Sequence, residues 1–383
     1  MKKINNIIVI LIFAAFILVF ALGSLILPDK SFSAAENREL QQKPEFTWTA
    51  VLSGDYEEEL LNYTSDQIIG RNFWVSARTG AKLAMGSRDV NGVYFCSGGR
   101  LVEKITQSDI DSEIYKKNLA AVKTFFDRLD PSVGRSLIIV PAAETMLSNQ
   151  LPEDAATFDW TALEKQALET VGKSSYVSLT AAFSKEKKSG LYYLTDHHWN
   201  SAGTQAAFKQ WMMSQETHGL PKVTFQEKKL ADGFYGSLWS KVIWGKKSDT
   251  VSTFVPAGSS MDGFTFKADG KEMGSIYQMK YASEKDKYAA FFGGNYGRVE
   301  ITGGPKNGRT LLIVKDSYAN SFAPLAAAEY EKVCMVDLRY FSGSLQTYMD
   351  DNKVTDVLVL YSIKNMTQDR GIAAIASAGT ILH

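Results

Sequence analysis

Four short apolar runs constrain this chain more than any other feature: Ser136-Leu137-Ile138-Ile139-Val140-Pro141, Thr310-Leu311-Leu312-Ile313-Val314, Lys332-Val333-Cys334-Met335-Val336 and Asp356-Val357-Leu358-Val359-Leu360. Each is short for a helix and lacks a polar face, which is the pattern of a strand buried on both sides. Helical segments separate them, and a further helix is predicted over about 112–129, ahead of the first run. Strand and helix in alternation predict right-handed βαβ crossovers, hence an α/β fold with a mostly parallel sheet and helices on both faces. Reactive groups of such a sheet belong at the C-terminal ends of its strands.

The rest of the chain is organised around that alternation. Lys2 and Lys3 precede an uncharged apolar run from Ile7 to Leu27, and about 20 apolar residues suffice to cross a bilayer as a helix. The length favours an uncleaved anchor over residues 1–28. Ser33-Ala34-Ala35 offers the small residues of a cleavage site as the alternative. With Lys2 and Lys3 held in the cytoplasm, everything from about residue 30 onward is expected outside the membrane. Residues 29–60 read as a polar stalk, and 61–383 as the α/β domain. Tyr56 to Lys82 reads as a helical pattern across that boundary, and Asp89 to Glu103 alternates around Ser97-Gly98-Gly99 as a β-hairpin. Between about 220 and 300 the chain turns aromatic and Gly-rich, reading as a strand-and-loop insertion that walls a cleft.

Composition removes several function classes. Lys and Arg total 42 and Asp and Glu total 42, so the surplus of positive charge that a nucleic-acid partner demands is missing. Two cysteines, Cys96 and Cys334, cannot build a four-thiolate zinc site, and no C-x-x-C or H-E-x-x-H motif is present. No metal and no cofactor is expected. The stretch Gly303 to Thr310 imitates a phosphate-binding loop with Arg309 in place of the lysine, but it precedes a strand instead of opening a helix.

Two motifs carry chemistry. Thr195-Asp196-His197-His198-Trp199-Asn200 stands before a helix expected to be capped by Asn200 or Ser201, and holds two of the chain's four histidines. In an extended segment residues i and i+2 share a side, so Asp196 can orient His198 while His197 faces away. The bland alternative is that Asp196 helps cap the helix and His198 is a packed ring. The second motif is Lys315-Asp316-Ser317-Tyr318, which follows an apolar strand and leads into a helix. A serine at such a turn meets backbone N–H groups and is raised above the sheet edge, as an acyl-transfer nucleophile requires. It is also a good helix N-cap. Together Ser317, His198 and Asp196 make up the three roles of a catalytic triad.

At these residues the sequence resembles the DHHW family, whose tetrad stands here as Asp196-His197-His198-Trp199, and more distantly the AlgX- and AlgJ-type alginate O-acetyltransferases of the SGNH-hydrolase group. Glu36-Asn37-Arg38, Ser65-Asp66-Gln67 with Arg71, Asp89-Val90 and Phe234-Tyr235-Gly236 look like further landmarks in the family's order. The resemblance implies an SGNH-hydrolase-like fold, with Ser317 as nucleophile, His198 as base and Asp196 as its orienter. For the oxyanion it implies the Ser317 backbone N–H and, more loosely, Asn295. Lys315 stands where many SGNH enzymes have the glycine of Gly-Asp-Ser. Tyr235, Trp239, Trp244 and Tyr296 are the aromatic material for a sugar-binding wall. The expectation is therefore a membrane-anchored, extracytoplasmic serine O-acetyltransferase or acetylesterase. Its acceptor would be a cell-surface polysaccharide and its acyl donor would be delivered by a membrane acyltransferase. From another class, the alternative is a non-catalytic polysaccharide-binding or assembly subunit that keeps the fold.

Overall fold

The structure, a computed structural model, describes residues 2–185, 190–214, 223–260, 263–377 and 380–381. Its contacts divide the chain into two compact units, Met1–Asn91 with Trp239–Gly245, and Gly92–Leu238 with Lys246–His383.

The first unit opens with the helix Lys2–Ile26, whose stretch Asn5–Ser24 is long and apolar enough to cross a membrane. The short strands Phe32–Ser33 and Arg38–Glu39 pair antiparallel, and three helices follow, Trp48–Ser53, Asp55–Gln67 and Arg71–Ala84. The continuous helical pattern expected from residue 56 is thus two helices, broken where Gly70 takes a left-handed φ of 70°. Charged landmarks of the sequence form one network here. Arg38 grips Asp66 through both terminal nitrogens at 2.8 and 2.5 Å, and Arg71 Nε donates to Glu36 at 2.6 Å. Those arginines hold the carboxyls of Glu36 and Asp66 below their usual range against the opposing effect of burial. A boundary at residue 60/61 falls inside the helix Asp55–Gln67, and the stretch expected as a stalk is fastened to that helix and its successor by these ion pairs.

The second unit is built on a seven-stranded sheet in the order Lys271–Ser275, Thr265–Ala268, Arg298–Thr302, Lys332–Val336, Thr310–Lys315, Asp356–Ser362, Gly134–Val140. The last four run parallel, and the first three join antiparallel. The sheet is therefore mixed, not mostly parallel. The reason lies in the 220–300 insertion, which is not a separate wall: its strands 265–268 and 271–275 add to the sheet edge through Arg298–Thr302. Burial follows the same division. Thr310–Lys315 and Asp356–Ser362 are buried at every residue, whereas Thr265–Ala268 and Arg298–Thr302 alternate between buried and open positions, as strands with one covered face do. The remaining insertion strands, Phe225–Phe234 and Asp249–Pro256, pair only with each other. Val93–Phe95 and Leu101–Glu103 form the expected hairpin.

One feature of the order fixes where chemistry belongs. From Thr310–Lys315 the chain passes through the helix Ala319–Ala327 to the strand on one side, Lys332–Val336. It then returns through the helix Leu345–Asp351 to the strand on the other side, Asp356–Ser362. A crevice opens where the order reverses in this way, at the carboxyl end of the central strand. Ser317 stands two residues beyond that end. Cys96 and Cys334 are both free and buried, and burial pushes their thiols up to about 11 and about 12.

Candidate active site

The turn after the central strand is held by Asp316, which is fully buried. Its Oδ1 accepts from Tyr318 N at 3.0 Å, while its Oδ2 accepts from Ser362 N at 2.7 Å and Asn365 Nδ2 at 2.8 Å. One carboxylate thereby ties the turn to the end of the neighbouring parallel strand. The N-cap position of the helix Ala319–Ala327 falls on Tyr318, one residue past Ser317, and the Ser317 hydroxyl has another partner.

That partner is His198. Its Nε2 lies 2.7 Å from Ser317 Oγ, and its Nδ1 lies 2.6 Å from Asp196 Oδ1. The same Asp196 oxygen accepts from His198 N at 2.9 Å, and the other accepts from Ser237 N at 2.7 Å. Burial works to raise the Asp196 pKa, but the imidazoles of His197 and His198 and these hydrogen bonds outweigh it and hold the carboxyl well below the usual carboxylate range. An ionised Asp196 keeps the proton of His198 on Nδ1, which leaves Nε2 free to accept from a serine hydroxyl. The expected i, i+2 geometry of Asp196 and His198 is the one observed.

The other ring of the tetrad has a different partner. His197 Nδ1 lies 2.7 Å from Ser237 Oγ, and its ring centroid is 3.9 Å from that of His198. Burial, reinforced by the neighbouring His198, pushes its pKa down to about 4, so it stays neutral. Trp199 is completely buried and donates Nε1 to Tyr318 O at 3.1 Å and Ser321 Oγ at 2.9 Å, fastening the tetrad to the helix that follows Ser317. Asn200 Oδ1 caps the next helix by accepting from Gly203 N at 3.1 Å. Asp196, His197 and His198 each offer a ligand atom within 4.8 Å of the others. Of their ring nitrogens, His197 Nδ1 is engaged with Ser237, His198 Nδ1 with Asp196 and His198 Nε2 with Ser317. His218 and His383 lie outside the described residues.

Two further residues position the site in ways that the sequence does not reveal. Tyr288 stacks on His198 with centroids 4.2 Å apart and planes 13° from parallel, and its hydroxyl donates to Ser317 O at 3.0 Å. It fixes the plane of the ring and the backbone of the serine at once. Gly236 lies so close to Asp196 that a Cβ on it would stand 2.3 Å from Asp196 Cβ. Its place in Phe234-Tyr235-Gly236 was visible in the sequence, but the reason for it was not.

Of the groups expected for the oxyanion, Asn295 is exposed and its Oδ1 accepts from Lys315 Nζ at 3.0 Å and Asn320 Nδ2 at 3.2 Å. Its oxygen is thus turned toward Lys315, which leaves the amide N–H groups to face elsewhere. Lys315 is buried, donates also to Asn320 Oδ1 at 2.7 Å, and has its ammonium pushed down to about 8 by burial. The lysine in the glycine position therefore orders two asparagines. The expected aromatic wall is divided. Trp239 and Trp244 fall in the first unit, where the Trp244 ring covers Gly80. Tyr235 and Tyr296 belong to the second unit together with Asp196, His198 and Ser317.

The family model described as DHHW protein matches residues 162–336, which include the tetrad and Ser317. A DHHW family protein from Eubacterium siraeum shares 23% identity at a TM-score of 0.63, covering 77% of this chain and 98% of its own. Bacillus cereus PatB1, solved with a sulfonyl adduct, shares 20% identity at 0.58, covering 71% and 95%. The O-acetyltransferase domain of Pseudomonas putida AlgJ shares 14% identity at 0.48, covering 75% and 99%. Among curated proteins none matches. The first two structural likenesses establish a common fold, and the resemblance to the DHHW family read from the sequence is borne out.

Proposed function

We propose that this chain is an SGNH-type serine O-acyltransferase or esterase that moves acetyl groups on or off a cell-surface polysaccharide. The observation that carries the reading is the unbroken hydrogen-bonded line Asp196–His198–Ser317 at the switch point of the sheet. In the proposed reaction Ser317 Oγ attacks the acyl carbonyl as His198 Nε2 takes its proton, and Asp196 stabilises the resulting imidazolium. The bond to the donor's oxygen breaks and His198 returns the proton to the leaving alkoxide. A sugar hydroxyl or water then gives its proton to His198 and attacks the acyl carbon; the bond from that carbon to Ser317 Oγ breaks, and His198 passes the proton to Ser317 Oγ. Ser317 N–H and the Asn295 amide are the proposed oxyanion donors, and Tyr235 and Tyr296 the aromatic surface for the acceptor. The N-terminal helix serves as anchor, with the rest of the chain outside the membrane and the donor acyl group supplied by a membrane acyltransferase. Support for the last three assignments is the family resemblance and the apolar length of the helix.

The test uses purified protein and a small activated acetyl ester. Wild type should release alcohol and carry one acetyl group on Ser317 by mass spectrometry, and an oligosaccharide should divert that acetyl from water to sugar. Ser317→Ala should lose acylation and still bind sugar. Turnover of the ester by that variant at the wild-type rate would leave the binding-subunit reading in its place.

A further inference from the structure

The N-terminal helix packs along its outer half on residues 69–74 of its own unit. Ser24 Oγ accepts from Ile69 N at 3.1 Å, and Gly23 lies against Ile69. Deeper along the helix, the rings of Phe20 and Phe16 meet Trp74 at centroid distances of 5.1 and 5.9 Å. On a helix rising 1.5 Å per residue, Phe20 and Phe16 lie roughly 6 and 12 Å before Ser24. The apolar stretch Asn5–Ser24 matches the thickness of a bilayer's hydrocarbon, about 30 Å. If Ser24 marks the outer boundary, the Trp74 ring lies below it, among the upper acyl chains.

Two local features suit that depth. The polar atom of the Trp74 ring is already satisfied, since Nε1 donates to Ile69 O at 3.1 Å, as a group in hydrocarbon requires. Phe73 beside it is 65% exposed, although Phe73 and Trp74 pack edge to face at 5.2 Å. An adjoining cavity of about 400 Å³ has apolar walls from Leu27, Phe32, Ile69 and Phe73 and a charged side from Lys30 and Arg71. We propose that Ile69, Phe73 and Trp74 form a second membrane contact beside the anchor, dipping into the outer leaflet with phospholipid acyl chains covering Phe73 and Trp74, while Arg71 stays at the interface with its partners Glu36 and Asp66. This rests on the anchor reading above.

Full-length protein in phosphatidylcholine vesicles tests it, with bromine placed on the acyl chains either near the head group or near the methyl end. The protein should float with the vesicles, and its tryptophan fluorescence should be quenched more by the shallow bromine than by the deep one. Trp74→Phe should remove about half or more of the shallow quenching, while Trp48→Phe, at a ring 72% exposed that packs on Phe46, should leave it unchanged. Phe73→Trp, a change at an exposed position, should add shallow quenching. Flotation without any change in quenching for Trp74→Phe or Phe73→Trp overturns the second contact and leaves the anchor standing. Protein that does not float overturns both.

Discussion

Asp196 is placed by what surrounds it. Ser237 N–H fixes one oxygen, His198 the other, and Gly236 supplies the space in which the carboxylate stands. Gly236→Ala should therefore shift Asp196 and, through it, the His198 ring. We expect kcat of ester turnover to fall about 10- to 100-fold, since displacement of an active-site group by about 1 Å costs on that order, and the thermal midpoint to drop by a few degrees as well, since the new Cβ also meets Asp196 Cα at 2.8 Å. An unchanged kcat would mean that the carboxylate tolerates the intrusion and that its position is not critical. Tyr288→Phe keeps the stack on His198 and removes one hydrogen bond to Ser317 O, which predicts a loss of about 3- to 10-fold in the same assay. These residues also mark how far the sequence could be read. Asp196, His198 and Ser317 were legible because a D-x-H spacing and a strand-to-helix serine state their roles locally. Tyr288 was not, because a tyrosine in Asp286-Lys287-Tyr288-Ala289 has no periodicity or motif that points 29 residues ahead to Ser317.

At the scale of elements, runs without a polar face announced the parallel strands, and the burial of Thr310–Lys315 and Asp356–Ser362 at every position is the physical counterpart. The antiparallel edge was missed because strand alternation in 265–268 and 298–302 reports one covered face but not which sheet provides the partner. Glu144 gives this level its own test. It stands in the short helix Ala143–Met146 just past the strand Gly134–Val140, with 1% exposure, and its Oε2 accepts from Ile105 N at 2.9 Å. Burial, with help from the charges of Glu103 and Asp109, pushes its pKa up to about 8. The unfolded chain releases that proton near the ordinary glutamate value of about 4.3. Between those values the folded state holds a proton that the unfolded state has lost, so this group's contribution to stability falls as pH rises, by at most about 1.4 kcal/mol per pH unit, and levels off above about 8. Glu144→Gln retains the acceptor for Ile105 N and cannot titrate. Its thermal midpoint relative to wild type should rise by a few degrees between about pH 5 and pH 8. A difference that stays constant over that range would show that Glu144 is already ionised in the fold.

For the whole molecule, the decisive property is the contrast between a net charge of zero and a single apolar helix next to Lys2 and Lys3. Neutrality gives the chain no long-range attraction to polyanions, and in the proposed reading the helix and the charges that flank it set its location. The apolar run was legible in the sequence because length and hydropathy are local quantities. The sequence did not state that residues 29–60 fold back onto the helices after them, since that depends on ion pairs such as Arg38–Asp66, made between residues 28 apart. If the lysines remain in the cytoplasm, the helices Trp48–Ser53 and Asp55–Gln67 and everything after them face outward. A protease added to intact spheroplasts should then consume the full-length band while a cytoplasmic marker protein survives. Truncation of residues 1–27, which leaves the Glu36, Arg38, Asp66 and Arg71 network in place, should yield a chain that no longer sediments with membranes. Digestion only after permeabilisation would put the domain in the cytoplasm and remove the extracytoplasmic reading. Membrane sedimentation of the truncated chain would instead show that the helix is not what attaches the protein to the membrane.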